Sequence, residues 1–187
     1  MPRIRSDSAI MQTTKHRPES GFSPIAGNNA QLLILGSMPS RKSLDATQYY
    51  AHPQNVFWPM MAELFDFDAS LGYAQRLEKL KDNRISLWDV AEACVRPGSM
   101  DHAIDITTVL PNDFNGFLVA HSQIRAIFFN GRKAEELFRR LVQPQLAQPF
   151  KQIECRLLPS TSPANAAMSR AQKMEHWKIV RQALEID

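Results

Sequence analysis

Cysteine is nearly absent from this chain of 187 residues, where Cys94 and Cys155 stand far apart. Two thiols cannot hold a four-thiolate iron–sulfur cluster within one chain, and isolated thiols suit a reducing compartment. The five histidines (His16, His52, His102, His121 and His176) are scattered and lack zinc-site spacing, so no metal and no other cofactor is expected. Glycine is sparse, at seven residues. The sequence contains no G-x-x-x-x-G-K-[ST], no G-x-G-x-x-G and no G-x-S-x-G, which sets aside the usual nucleotide-phosphate loops and the serine nucleophile elbow. No apolar run approaches the roughly 20 residues that span a bilayer, and the first residues lack the apolar middle of a secretory signal. A cytoplasmic location away from membranes is expected. Asp45, Asp89, Asp101 and Asp105 fall near strand ends or loops, but no spacing singles out a catalytic carboxylate pair.

Apolar residues make up 44% of the chain, enough for one sizeable core and one domain. The net charge of +3 and the isoelectric point near 9.0 permit a polyanionic partner without requiring one. Residues 1–27 carry Arg3, Arg5, Lys15 and Arg17 against Asp7 and Glu19, with Ser, Thr and Pro between them and little apolar pattern. They read as a disordered basic arm, either a solvated tail or a tether for DNA. Residues 28–187 form the single domain, expected as a monomer.

Beyond the arm, four short apolar runs at 31–35, 85–90, 125–130 and 155–158 have the character of central parallel strands. Helical patterns separate them. Ala134, Leu137, Phe138 and Leu141 recur at helical spacing, and Met174, Trp177 and Leu184 give the last helix a similar stripe. This alternation predicts an α/β protein, a three-layer αβα sandwich around a mainly parallel four-stranded sheet with right-handed crossovers.

The first strand breaks at Leu35-Gly36-Ser37-Met38-Pro39-Ser40, and in open α/β sheets such strand ends are where ligands bind. An aromatic, amide-bearing loop follows: Tyr49-Tyr50-Ala51-His52-Pro53-Gln54-Asn55-Val56-Phe57-Trp58. Aromatic faces stack on nucleobases, and amides pair with base edges. A third segment, Leu158-Pro159-Ser160-Thr161-Ser162-Pro163-Ala164-Asn165, follows the last strand. Its Ser162-Pro163 reads as an N-cap and first helical residue, so Ala164, Asn165 and Ala166 would open a helix whose free amides suit a phosphate.

Together these segments resemble the uracil-DNA glycosylase superfamily over residues 31–181. The resemblance is closest to the hypoxanthine-DNA (deoxyinosine) glycosylase branch, next to the mismatch-specific uracil-DNA glycosylases. It implies a monofunctional glycosylase that hydrolyses the N-glycosidic bond of a deaminated base in DNA, hypoxanthine first and uracil second. Some branches of the superfamily carry an iron–sulfur cluster, which the two cysteines exclude here. In relatives with a G-I-N-P-G signature an Asn of the first motif orients the water, but that position is Met38, which has no group for the task. The resemblance therefore assigns catalysis to Asn55. As a sequence position Asn55 is also a good N-cap for a helix beginning at Val56, with Pro59 in its first turn, and the two roles are compatible.

By the same resemblance Tyr50 stacks on the extruded base, while Gly36, Ser37 and Met38 bring backbone groups to its edge. Ser160, Ser162, Pro163, Ala164 and Asn165 grip the strand beside the flipped nucleotide. Ser160 stands where the mismatch-specific relatives have Asn. His52 is either a ligand contact or a loop-locking hydrogen bonder. The loss of the first-motif Asn also leaves open a non-catalytic DNA-binding or damaged-base-binding module, and the same sheet would serve a nucleoside or nucleotide hydrolase.

Overall fold

The computed structural model describes residues 18–97 and 100–185. Among these described residues lie seven strands: β1 (Glu19–Ser20), β2 (Leu32–Gly36), β3 (Ile85–Asp89), β4 (Ala91–Cys94), β5 (Leu110–Pro111), β6 (Ala126–Asn130) and β7 (Glu154–Leu158). Six α-helices accompany them: α1 (Arg41–Ala46), α2 (Phe57–Phe65), α3 (Tyr73–Asp82), α4 (Phe114–Ala120), α5 (Arg132–Leu137) and α6 (Arg170–Glu185).

The main sheet has the order β3-β2-β6-β7, and every pairing in it is parallel. Every residue of β2, β3 and β6 is buried, because helices cover both faces. Alternation along β2 divides the core. Leu33 and Leu35 pack with Phe114, Phe117 and Leu137 from α4 and α5, whereas Leu32 and Ile34 pack with Phe57, Met60, Leu80 and Trp177 from α2, α3 and α6. The expected stripe of α6 is buried at Met174, Trp177 and Leu184, with Val180 completing it. A Ser-x-x-Gln box starts this helix: the Ser169 hydroxyl accepts from the Gln172 amide at 3.2 Å, and the Gln172 carboxamide accepts from the Ser169 amide at 2.9 Å.

Two expectations are corrected here. Residues 18–27, assigned to the arm by their polar composition, are built into the domain. β1 pairs antiparallel with β4, which also pairs with β5 in a second, three-stranded sheet, and Ile25 exchanges two backbone hydrogen bonds with Leu87. Glu19 bridges Arg41 and the fully buried Arg96. The charge that suggested a solvated tail is thus a neutralising partner for an interior guanidinium. Residues 1–17, the rest of the proposed arm, lie outside the described residues. The second correction concerns residues 163–166, which form turns and no helix; α6 begins only at Arg170.

Candidate active site

Loops from the carboxyl ends of β2, β3, β6 and β7 surround a cleft of about 1020 Å³. The chain leaves β2 toward β3 and leaves β6 toward β7, so the cleft opens where the strand order reverses. Its walls include Gly36, Ser37, Met38, Tyr50, Asn55, Ser160, Ser162, Ala164 and Asn165. Of the residues given a base- or DNA-contacting role from sequence, Pro163 is not part of the lining, and neither is His52.

The loop after β2 is held from β3. Val90 and Ala91 amides donate to the Gly36 and Ser37 carbonyls at 2.9 and 3.0 Å, so these two oxygens are already engaged inside the protein. Gly36 lies beside Asp89 in the ladder, and a Cβ there would collide with the Asp89 carboxyl and approach the Tyr50 hydroxyl to 3.3 Å. The close approach explains the glycine. The Met38 side chain is 5% exposed and belongs to the core beneath the sheet.

The aromatic loop is stitched from several directions. The Trp58 indole donates to the Tyr49 carbonyl at 2.9 Å, the Tyr49 amide donates to the Tyr73 hydroxyl at 3.0 Å, and the Tyr49 hydroxyl donates to Ser23 at 3.2 Å. Tyr50 sits at φ 55, a left-handed conformation that costs a bulky residue about 1–2 kcal/mol. Its ring rests on Phe57 with centroids 4.1 Å apart, which leaves the rest of the ring to the cleft. Strain of this kind is kept where the surrounding contacts dictate a side chain's direction.

Asn55 precedes the helix by one more residue than the sequence suggested. Val56 is the residue flanking α2 and makes no side-chain cap, while Asn55 Oδ1 accepts from the Phe57 amide at 3.0 Å. The carboxamide thus caps the first turn of α2 and lines the cleft at once. His52 is a loop-locking group: its Nδ1 accepts from the Gln54 amide at 3.1 Å.

The third loop is organised by Thr161, a residue the sequence reading passed over. Its amide donates to Asn130 Oδ1 and its hydroxyl accepts from Asn130 Nδ2, both at 2.9 Å, and its carbonyl accepts from the Val56 amide at 3.1 Å. One fully buried residue therefore ties the ends of β6 and β7 to the Asn55 turn. The expected helix start fails because Ser162 closes a single turn on itself. The Ala164 amide donates to the Ser162 hydroxyl and the Asn165 amide to the Ser162 carbonyl, while Asn165 Nδ2 turns back to the Ser160 carbonyl at 3.2 Å. Gly131 packs against Ser160 at φ 100, a conformation glycine adopts readily. Arg132 is exposed on the same rim.

Two further cleft residues are acids that the sequence placed near strand ends or loops without a role. Asp89 is 3% exposed, and its Oδ2 has no hydrogen-bond partner among the described residues. Burial, reinforced by the Asp101 charge and partly offset by Arg96, pushes its carboxyl up to about 8. Asp101 accepts from the Ser37 hydroxyl at 2.8 Å; burial raises it too, against that hydrogen bond and the charges of Arg96, Lys133 and His102. Burial also raises the Tyr50 phenol, so its hydroxyl stays protonated. Among the described residues no group of three or more His, Cys, Asp or Glu converges to hold a metal ion.

A cleft at the strand-order reversal, floored by a glycine and walled by an aromatic loop and a small-residue turn, stands where open α/β sheets bind their ligands. Residues 24–185 match the uracil DNA glycosylase superfamily, and the chain belongs to that family. It is 38% identical over 161 residues to a hypoxanthine DNA glycosylase of Methanosarcina acetivorans, covering 86% of this chain and 96% of the relative. A hypoxanthine DNA glycosylase of Methanosarcina barkeri is 34% identical over 160 residues, 83% of this chain and 93% of the relative. The fold matches a solution NMR structure from Methanosarcina acetivorans assigned to the uracil DNA glycosylases, with a TM-score of 0.75 and 36% identity over 90% of this chain and 99% of that one.

Proposed function

We propose that the protein is a monofunctional DNA glycosylase that removes deaminated bases, hypoxanthine first and uracil second, and so opens base-excision repair. The observation that carries this reading is the convergence of Tyr50, Asn55 and the 160–165 turn on one cleft. Family membership and the similarity to hypoxanthine DNA glycosylases support it. Hydrolysis forms a bond from water oxygen to C1′ and breaks the C1′–N bond, whose electron pair leaves with the base. Positive charge builds on the sugar and negative charge on the base, so the site must place one water and offer hydrogen bonds to the departing anion.

Asn55 orients the water, with its Oδ1 held in place by the Phe57 amide. Tyr50 stacks on the extruded base, backed by Phe57. Gly36, Ser37 and Met38 line the base edge, where Gly36 leaves room for a purine. Ser160, Ser162, Pro163, Ala164 and Asn165 hold the flanking strand through compactness, not through free helix-start amides, and Arg132 supplies positive charge at the rim. The enzyme works as a monomer in the cytoplasm; among the described residues no helix is long and apolar enough to cross a membrane.

Incubation with 5′-labelled duplexes carrying one deoxyinosine, uracil or xanthine tests the activity. Strand scission is expected only after alkali, and unchanged in EDTA. Borohydride trapping of an enzyme–DNA adduct would replace the water route with a lyase route.

The stacking role makes its own prediction. Tyr50→Phe keeps the ring face and should retain most excision. Tyr50→Ala should lose roughly 1–3 kcal/mol of base affinity, about 5- to 150-fold. Equal losses in the two variants would assign recognition to the hydroxyl.

A further inference from the structure

Asp89 and Asp101 bring two carboxyls to one wall of the cleft, and the groups around them treat the two differently. Asp101 is stabilised as an anion by the Ser37 hydroxyl and has the charges of Lys133, His102 and Arg96 nearby. Asp89 has none of these hydrogen bonds. Tyr49 and Tyr50 face it from the aromatic loop and Asp101 from the turn at 101–103, while Arg96, the one cation acting on it, is already paired with Glu19. Its Oδ2 is buried, lacks a partner among the described residues and belongs to the cleft lining. A second negative charge beside Asp101, out of water, is strongly disfavoured.

Deamination converts an amidine edge of adenine or cytosine into a lactam, an N–H beside a C=O. A neutral carboxylic acid matches that edge at two points, its O–H donating to the base carbonyl and its other oxygen accepting the lactam N–H. A carboxylate would accept the N–H but repel the carbonyl oxygen, and repel it more as the base takes up the glycosidic electrons. Building on the base-excision reading, we propose that Asp89 meets the lactam edge of the extruded base as an uncharged acid, with Asp101 carrying the single negative charge of the pair. Asp89 keeps its proton, hydrogen-bonding the departing base without transferring the proton to it. Excision is therefore an activity of the protonated Asp89 form: it is full at neutral pH and falls as pH rises through about 8.

The test is single-turnover excision of deoxyinosine from pH 6 to 9.5, with duplex binding followed over the same range. The wild-type rate should fall about tenfold per pH unit on the alkaline side while binding to intact duplex changes little. Asp89→Asn keeps a donor and an acceptor that cannot ionise; its rate should be lower at pH 7, by up to about tenfold, yet flat to pH 9.5. Asp101→Asn should move the alkaline limb to lower pH, because without the neighbouring negative charge Asp89 ionises more readily. A limb that persists unchanged in Asp89→Asn belongs to the lactam N–H of the base and overturns the proposal, as does a wild-type rate that is flat to pH 9.5. Absence of excision at every pH by folded wild-type protein would instead refute the glycosylase reading on which the proposal rests.

Discussion

Asn55→Ala is expected to cut single-turnover excision by roughly 100-fold or more, the scale on which a misplaced reacting group costs rate, while duplex binding stays within a few fold. The carboxamide has two attachments, its Oδ1 to the Phe57 amide and its exposed side to the cleft. Losing the first costs about 1 kcal/mol of stability, as for any cap, and lowers the melting temperature by a few degrees. A loss of that size cannot by itself remove two orders of magnitude of rate from protein that remains folded. Asn55→Ser separates the two functions, since serine caps nearly as well but has no carboxamide to hold a water. Normal excision by Asn55→Ser, with circular dichroism matching the parent, would reduce Asn55 to a cap.

Gly36→Ala should be nearly as damaging for a different reason. The new methyl group would occupy the space of the Asp89 carboxyl and press on the Tyr50 hydroxyl, and overpacking of this kind costs about 1–3 kcal/mol. Excision should fall further than stability does, by about 100-fold, because the displaced carboxyl and ring are the two walls proposed to receive the base. Adding Asp89→Ser withdraws the colliding group, so the double variant should regain melting temperature without regaining excision. Recovery of both would mean that the base never enters between Gly36 and Asp89.

The three segments chosen from sequence share the cleft because the first and third follow the ends of β2 and β7 and the second leads into α2, and strand ends are visible as apolar runs that stop at Gly or Pro. The four strands of the main sheet fall within a residue or two of their expected positions for the same reason, although only β2 and β6 are central and β7 is a largely exposed edge. What escaped depends on distant partners. Glu19 looks like a tail charge until Arg96, 77 positions away, is buried beside it. Asp89 is one more acid at a strand end until packing removes its water. Ser162-Pro163 carries a helix-start signal, but Ser169, Arg170, Ala171 and Gln172 hold the capping box that α6 actually uses. The choice between two such signals depends on where Trp177 and Val180 must land in the core.

Thr161 gives the cleft a mechanical character. Its amide, hydroxyl and carbonyl fasten three loops at a single buried point, so a push on the turn at 160–165, proposed to hold the strand, cannot be absorbed there alone. It would have to break the bonds to Asn130 and the Asn55 turn together. The protein therefore acts as a stiff jig, and the duplex is the compliant body: bending and unstacking the DNA supplies the motion that brings a nucleotide out. Selection among bases then begins before any side chain touches one, because a mispaired or deaminated nucleotide yields to such a jig more easily than a well-paired neighbour.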